Sequence, residues 1–237
     1  MKKVVIHPDY TFCADFISRL PKVFHTEGKT IFKERNEVKI FTHQGLEFVV
    51  KSFRIPHLIN QFAYSGLRAS KAERAYKHAL ILLDKGIITP TPIAYIEIKK
   101  FGLLFNSYFI STKSRFNREL REISDTPGLP ETYLVLTDFA LFTARLHQLG
   151  IYHKDYSSRN VLFGQTGDHY EFELLDLNRM KFCEVGLKDG CKNLNRLGFP
   201  DDMVCFFAAK YAADRGFDTE TCEAMMLKYR RKHSTKL

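Results

Sequence analysis

The chain has 237 residues, 45% hydrophobic and 27% charged, with a formal net charge of +9. That size and balance fit one compact protein, or two lobes too dependent on each other to count apart, and exclude wholesale disorder. The basic charge favours phosphates, acidic sugars, nucleic acid or an anionic membrane surface, without choosing among them.

Five cysteines, Cys13, Cys183, Cys191, Cys205 and Cys222, are odd in number and contain no C-x-x-C pair. Neither a zinc site nor a disulfide framework is indicated, and a reducing cytoplasm is the expected setting. The apolar run after Lys2 and Lys3, Val4 to Ile6, stops at His7-Pro8-Asp9 and is too short for a signal-peptide core. No apolar stretch is long enough to span a bilayer, so any membrane role is expected to be a peripheral contact with an anionic surface.

In chain order, the first hundred residues read as strands with one helix. Thr30 to Phe32, Val38 to Thr42 and Leu46 to Phe53 are β-prone, with a tight turn at His43-Gln44-Gly45. Alternation puts Glu47, Val49, Lys51 and Phe53 on one face of the third strand. Ser70 is the expected N-cap of a helix whose apolar stripe is Ala72, Ala75, Tyr76, Ala79, Leu80 and Leu83, with Gly86 as its stop. Ala94 to Ile98 and Gly102 to Ile110 form a second strand pair. Arg115 to Ile123 reads as a charged helix or loop, and Thr126-Pro127-Gly128-Leu129-Pro130 as a break. Glu131 to Leu149 is predicted helical, with Tyr133, Leu136, Ala140, Thr143 and His147 along one stripe. A hairpin follows, Val161 to Phe163 and Tyr170 to Leu177, turning over Gly164 to Asp168. Asp201 to Ala213 and Thr219 to Arg230 are the last predicted helices, ahead of a basic tail from Lys228 to Lys236. The order implies an α+β fold, sheet-rich first and helical later.

The run His153-Lys154-Asp155-Tyr156-Ser157-Ser158-Arg159-Asn160, leading into Val161-Leu162-Phe163, is an H-x-D-x-x-x-x-N loop ahead of an apolar strand. It resembles the catalytic loop of the protein-kinase superfamily. A second carboxylate, Asp176, stands in Leu174-Leu175-Asp176-Leu177-Asn178, where that superfamily has its metal-binding aspartate. Phosphoryl transfer needs an acceptor hydroxyl held in line and cations to neutralise phosphate charge. Asp155 suits the first task as catalytic carboxylate. Asn160 and Asp176 supply hard oxygen ligands for Mg²⁺.

Upstream, Lys51 in Val49-Val50-Lys51 matches the phosphate-pairing lysine, and Glu73 on the next helix its ion-pair partner. Ser70-Lys71-Ala72-Glu73 is also a capping box, so Glu73 has two readings. His153 is expected to brace the loop, and His147 to be a buried, satisfied helix residue. Arg159 either touches the acceptor or packs outside the loop. The chain departs from the superfamily in three places. The turn Lys33-Glu34-Arg35-Asn36-Glu37 replaces a glycine-rich loop, Asn178 replaces a glycine, and the Ala-Pro-Glu end of an activation segment is missing. Asparagine tolerates left-handed backbone, which makes the second departure mild. The third leaves little room for a peptide platform and favours a small or non-protein acceptor.

Ser70-Lys71-Ala72-Glu73-Arg74-Ala75-Tyr76, Gly86 to Pro92, His153-Lys154-Asp155 and Asp176-Leu177-Asn178-Arg179 together resemble the lipopolysaccharide kinase family, which includes Kdo kinases and core heptose kinases. The likeness runs from about Thr30 to Leu197. It implies a single protein-kinase-like domain over 1–237, with a β-rich N-lobe to about 110 and a small helical C-lobe from about 111. It further implies ATP and Mg²⁺, a glycolipid or sugar acceptor with its hydroxyl on an inner-core sugar, and a cytoplasmic site at the inner membrane face. Lys113, Arg115, Arg118 and Arg121 either face such a substrate or form a solvated charged surface.

Three other readings stay open. They are an atypical protein kinase that works with a partner protein, a small-molecule kinase of the aminoglycoside or choline type, and a pseudokinase scaffold. Retention of Lys51, Asp155, Asn160 and Asp176 together argues against the scaffold. Nucleic acid is not expected as a partner, because no aromatic-rich RNA motif or helix-turn-helix pattern is present.

Overall fold

Alternating residues around a two-residue turn build the first half of the molecule. The computed structural model of the chain describes residues 1–53, 69–126 and 128–234, which fall into two compact units, Met1–Ser114 and Arg115–Leu237. Pro127 of the expected break and Lys236 of the expected tail lie outside the described residues.

In the first unit, strands β1 (Lys2–Ile6), β2 (Lys29–Lys33), β3 (Glu37–His43), β4 (Leu46–Phe53), β5 (Pro92–Lys100) and β6 (Leu103–Thr112) pair antiparallel in the order β1-β5-β6-β4-β3-β2. His43 faces Leu46 across the β3–β4 turn, and Gln44 and Gly45 both take positive φ, 49° and 76°. That pair of left-handed residues is the two-residue hairpin geometry that matches strand twist.

Each face of the sheet is covered by a helix. Helix α1 (Ala14–Val23) buries Phe16, Ile17 and Leu20 in a cluster with Phe41, Phe48, Val50, Tyr108 and Ile110. Helix α2 (Lys71–Asp84) packs Ala72, Ala75 and Tyr76 with Phe53 and Tyr95. Each fully buried large apolar side chain contributes roughly 1.5–3 kcal/mol. Since residues two apart on a strand share a face, Lys51 lies on the α2 side with Phe53, and Phe48 and Val50 face α1.

Among the described residues of the first hundred, two α-helices stand where the sequence reading expects one. Helix α1 escapes a sequence reading because Pro21 sits inside it, where proline normally signals a break. Its apolar positions Phe16, Ile17, Leu20 and Phe24 nonetheless keep helical spacing and are all buried. Strand β1 is also longer than its apolar run suggests, because the exposed Lys2 and Lys3 pair with Ile98 and Glu97. On α2 the core position is Leu82, and Leu83 is exposed.

The second unit contains β7 (Arg118–Glu119), α3 (Arg121–Asp125), α4 (Thr132–Gln148), β8 (Ile151–His153), β9 (Val161–Thr166), β10 (His169–Leu174), β11 (Met180–Phe182), α5 (Leu187–Asn193), α6 (Asp201–Arg215) and α7 (Thr219–Ser234). Among the described residues its strands form a β10-β9-β7 sheet and a β11-β8 pair. Phe139 of α4 is an aromatic hub, with ring centroids 5.9 Å from Tyr156, 5.1 Å from Phe172 and 5.6 Å from Phe207.

Here too the structure amends the expectation. The stretch expected as one charged helix or loop holds both β7 and α3. Tyr133 is 51% exposed instead of lying on the buried stripe of α4. The β9–β10 turn narrows to Gly167-Asp168, with Thr166 paired to His169. Helix α5 and strands β8 and β11 are too short for periodicity to reveal.

Candidate active site

The H-x-D-x-x-x-x-N run leaves β8, passes through a 3-10 turn at Ser158–Asn160 and enters β9. Backbone and side-chain bonds hold it from both ends. His153 is buried; its Nδ1 accepts from the Asp155 amide at 3.1 Å and its Nε2 donates to Leu175 O at 3.0 Å. Only a neutral imidazole does both. Burial, which lowers the histidine pKa, favours that form. The expected bracing role of His153 thus has a geometry: one ring ties the loop to the residue before Asp176.

Asn160 closes the loop by donating from Nδ2 to Asp155 O at 2.8 Å, and its own carbonyl accepts from the Leu175 amide at 2.9 Å. Tyr156 roots the loop in the core, with its hydroxyl 2.8 Å from Thr143 Oγ1 of α4. Asp176 takes left-handed backbone, φ 53° and ψ 52°. Asparagine's tolerance for that region goes unused at Asn178, which lies in the 3-10 turn Leu177–Arg179. Instead Asn178 Nδ2 donates to Asp176 Oδ1 at 2.5 Å and fixes the carboxylate. Left-handed non-glycine residues cluster at functional sites. Arg159 is exposed.

A second layer supports the loop. His147 is buried between Tyr211 and Asn193, Nδ1 to the tyrosine hydroxyl at 2.8 Å and Nε2 to Asn193 Oδ1 at 3.1 Å. Asn193 Nδ2 in turn donates to His153 O at 2.8 Å, and Arg215 Nη1 donates to the Tyr211 hydroxyl at 3.0 Å. The donors run one way, from Arg215 through Tyr211, His147 and Asn193 to the loop. Burial, with a smaller contribution from the Arg215 charge, pushes His147 down to about 4, so it stays neutral. Asn193 and Tyr211 carry no local motif, and sequence spacing does not single them out.

Asp155 carries a further surprise. Its Oδ1 is hydrogen-bonded to Arg196 Nη1, and its Oδ2 lies 3.7 Å from Arg179 Nη1. Arg179 entered the sequence reading only as part of a motif, and Arg196 not at all.

In the first unit, Lys51 Nζ lies 5.4 Å from the Phe53 ring centroid. The Ser70 half of the capping box is present: Ser70 Oγ accepts from the Glu73 amide at 3.1 Å. The Glu73 carboxylate meets Lys77 Nζ at 2.6 Å and Lys3 Nζ at 3.9 Å. In the Lys33–Glu37 turn, Lys33 Nζ is 3.6 Å from Glu37 Oε1. The four basic residues between the two halves are engaged within their own units. Lys113 meets Glu47 at 3.0 Å, Arg115 Glu171 at 3.2 Å, Arg118 Glu122 at 3.0 Å and Arg121 Glu119 at 2.7 Å.

The donor set around Asp176 suits Mg²⁺. Asn160 spends an amide N–H on the loop, which leaves its Oδ1 as an oxygen that could serve as a ligand, and Asn178 holds the Asp176 carboxylate. Two hard oxygens from protein, completed by phosphate oxygens and water, are the usual arrangement for this ion. Among the described residues no group of three His, Cys, Asp or Glu forms a ready-made metal cage.

The model of the lipopolysaccharide kinase (Kdo/WaaP) family matches residues 26–229. The chain belongs to that family. It is 28% identical over 144 residues to a 3-deoxy-D-manno-octulosonic acid kinase of Haemophilus influenzae strain PittGG, covering 58% of this chain and 56% of that one. The corresponding protein of strain ATCC 51907 / DSM 11121 / KW20 / Rd is 28% identical over 142 residues, with the same shares. The match thus spans just over half the length of these curated relatives. Among solved structures, WaaP in complex with acyl carrier protein superposes with a TM-score of 0.69 at 16% identity, covering 99% of this chain and 98% of that one. At that identity the likeness speaks for the fold, which is α+β and protein-kinase-like. Among the described residues no helix is long and apolar enough to cross a membrane.

Proposed function

We propose that this family member transfers the γ-phosphate of ATP to a hydroxyl of an inner-core lipopolysaccharide sugar, with 3-deoxy-D-manno-octulosonic acid (Kdo) as the acceptor. It works from the cytoplasm at the inner membrane face. The observation that carries this reading is the doubly tied loop: Asn160 Nδ2 on Asp155 O at 2.8 Å and the Leu175 amide on Asn160 O at 2.9 Å. Those bonds hold the acceptor carboxylate and the two metal-ligand candidates in one rigid piece, and pre-positioning is most of what phosphoryl transfer asks of a protein. The names of the curated relatives favour Kdo over heptose.

In this reading Asp155 orients the acceptor hydroxyl and takes its proton as the bond to phosphorus forms. Asn160 Oδ1 and the Asp176 carboxylate hold Mg²⁺, which supplies charge neutralisation on the phosphates. Asn178 keeps Asp176 in its rotamer, and His153 keeps the loop backbone aligned. Lys51 pairs with nucleotide phosphates, and Glu73, on the same side of the sheet, is its candidate partner.

The test is mass spectrometry of a Kdo-bearing lipid A precursor after incubation with protein, ATP and Mg²⁺. A phosphate added by the parent protein and reduced about 10²- to 10⁴-fold by Asp155→Ala, with nucleotide still bound, is the expected outcome. Asp176→Ala should instead weaken Mg²⁺-dependent nucleotide binding. A parent protein that binds ATP and leaves every Kdo- and heptose-bearing precursor unmodified would overturn the proposal.

A further inference from the structure

Asp155 is the carboxylate assigned to the acceptor, yet both of its oxygens are already engaged by cations. Arg196 Nη1 donates to Oδ1, and Arg179 Nη1 sits 3.7 Å from Oδ2. The two arginines reach it from separate segments of the chain, and each is anchored through its backbone. The Lys154 amide donates to Arg179 O at 3.0 Å, next to the Met180–His153 pair of β11 and β8. Arg196 forms a parallel bridge with Ser157, three residues after Asn193 grips His153 O. Their side chains remain 51% and 41% exposed, against 25% for Asp155, so an incoming molecule can reach them.

Two guanidiniums meet the one carboxylate of Asp155, so a second anion can share them where the acceptor is assigned to enter. An arginine fork binds carboxylate and phosphate with comparable geometry, so one anion can replace another on it without a new site being built. A neutral sugar could not make that exchange and would have to compete with an intact ion pair.

We propose that Arg179 and Arg196 form an anion subsite for the acceptor, a sugar carrying a carboxylate or phosphate near its reacting hydroxyl. The acceptor's anion takes over the guanidiniums, and the Asp155 oxygen they release turns to the hydroxyl. The arginines are positioning and specificity residues; Asp155 remains the group that touches the reacting atom. This inference rests on the assignment of Asp155 to the acceptor.

Equilibrium binding separates it from transfer. The probes are the Kdo-bearing lipid A precursor in detergent, its carboxyl-reduced form and its dephosphorylated form, measured on the parent protein, Arg179→Ala, Arg196→Ala, the double variant and Arg196→Lys. The expected result is that one of the two modified forms binds the parent about tenfold more weakly or worse. Loss on carboxyl reduction names the carboxylate as the anion, and loss on dephosphorylation names the phosphate. The double variant should bind all three forms alike, with ATP affinity unchanged, and Arg196→Lys should recover part of the discrimination. In steady state the alanine variants should raise acceptor KM more than they lower kcat, a split that a merely structural role does not produce. Parent protein that binds the three forms equally, or a double variant that discriminates as the parent does, would overturn the subsite. Discriminating binding without any transfer would leave the subsite standing and remove the proposed reaction.

Discussion

The sheet unit and the loop-bearing unit bury polar side chains for different purposes. In the first, several such groups bond to near neighbours: Ser111 Oγ to the carbonyl of Thr112, Ser70 Oγ to the Glu73 amide, Lys39 Nζ to Glu27 O across 12 residues. Each satisfies a local need within a cap, strand or turn. In the second, one connected chain of buried groups joins residues far apart in the sequence. His147 reaches Tyr211 across 64 residues and Asn193 across 46, and Asn193 reaches His153 across 40. The lesson is that apolar packing suffices to shape a sheet with two covering helices, whereas a catalytic loop needs its backbone fixed in direction as well as place. Hydrogen bonds supply direction; dispersion and apolar burial do not.

The largest loss is expected from removing the aromatic hub of the loop-bearing unit. Phe139→Ala should cost about 3–5 kcal/mol in urea unfolding, since the ring packs on Tyr156, Phe172 and Phe207 together. A loss under 1 kcal/mol would mean that packing matters less to this unit than its polar chain does.

The polar chain makes a pH prediction. Unfolded histidine takes a proton near pH 6.5, while folded His147 holds out to about 4. Between those values the unfolded state binds more protons, so stability is complete above about 6.5 and falls as pH drops toward 4. The full difference is about 3 kcal/mol. His153 shifts in the same direction and adds to the slope. His147→Gln should be less stable at pH 7 and lose less than the parent between pH 7 and pH 4.5. Identical slopes for the two proteins would detach His147 from the acid sensitivity.

Next comes the space beside that chain. A Cβ on Gly190 of α5 would stand 2.3 Å from the Tyr211 hydroxyl and 3.5 Å from His147 Nδ1. Gly190→Ala should therefore cost about 1–3 kcal/mol and lower transfer along with stability. Gly186→Ala, with open space around its Cβ, is the control and should fall within about 0.5 kcal/mol of the parent. The smallest effect belongs to the sheet unit. Ser70→Ala removes the cap of α2 and should cost about 1 kcal/mol, read by thermal unfolding.

Legibility in the sequence followed the same division. Strand β4 matches its expected bounds, Leu46–Phe53, because alternation and a Gln44-Gly45 turn are local signals. Helix α2 began where Ser70 said it would. The loop from His153 to Asn160 and the carboxylate at Asp176 were visible as spacing. Helix α1 was hidden by Pro21, and α5 by its length of seven residues. The supporting chain through Tyr211, His147 and Asn193 was hidden because hydrogen-bond partners 40 or more residues apart leave no period in the sequence.

By itself, then, the sequence determined the types of most of the longer strands and helices, the sheet-then-helix order and the residues that carry a kinase-like motif, because all of these depend on side chains within a few positions of one another. Only the tertiary structure decided which of the 36 lysines and arginines would stand at Asp155. Arg179 is brought there by the β8–β11 pairing, and Arg196, 41 residues from Asp155, by the bridge to Ser157 that follows α5. An ion pair forms wherever the fold delivers two charges to one place, and that delivery is settled by packing across the whole unit.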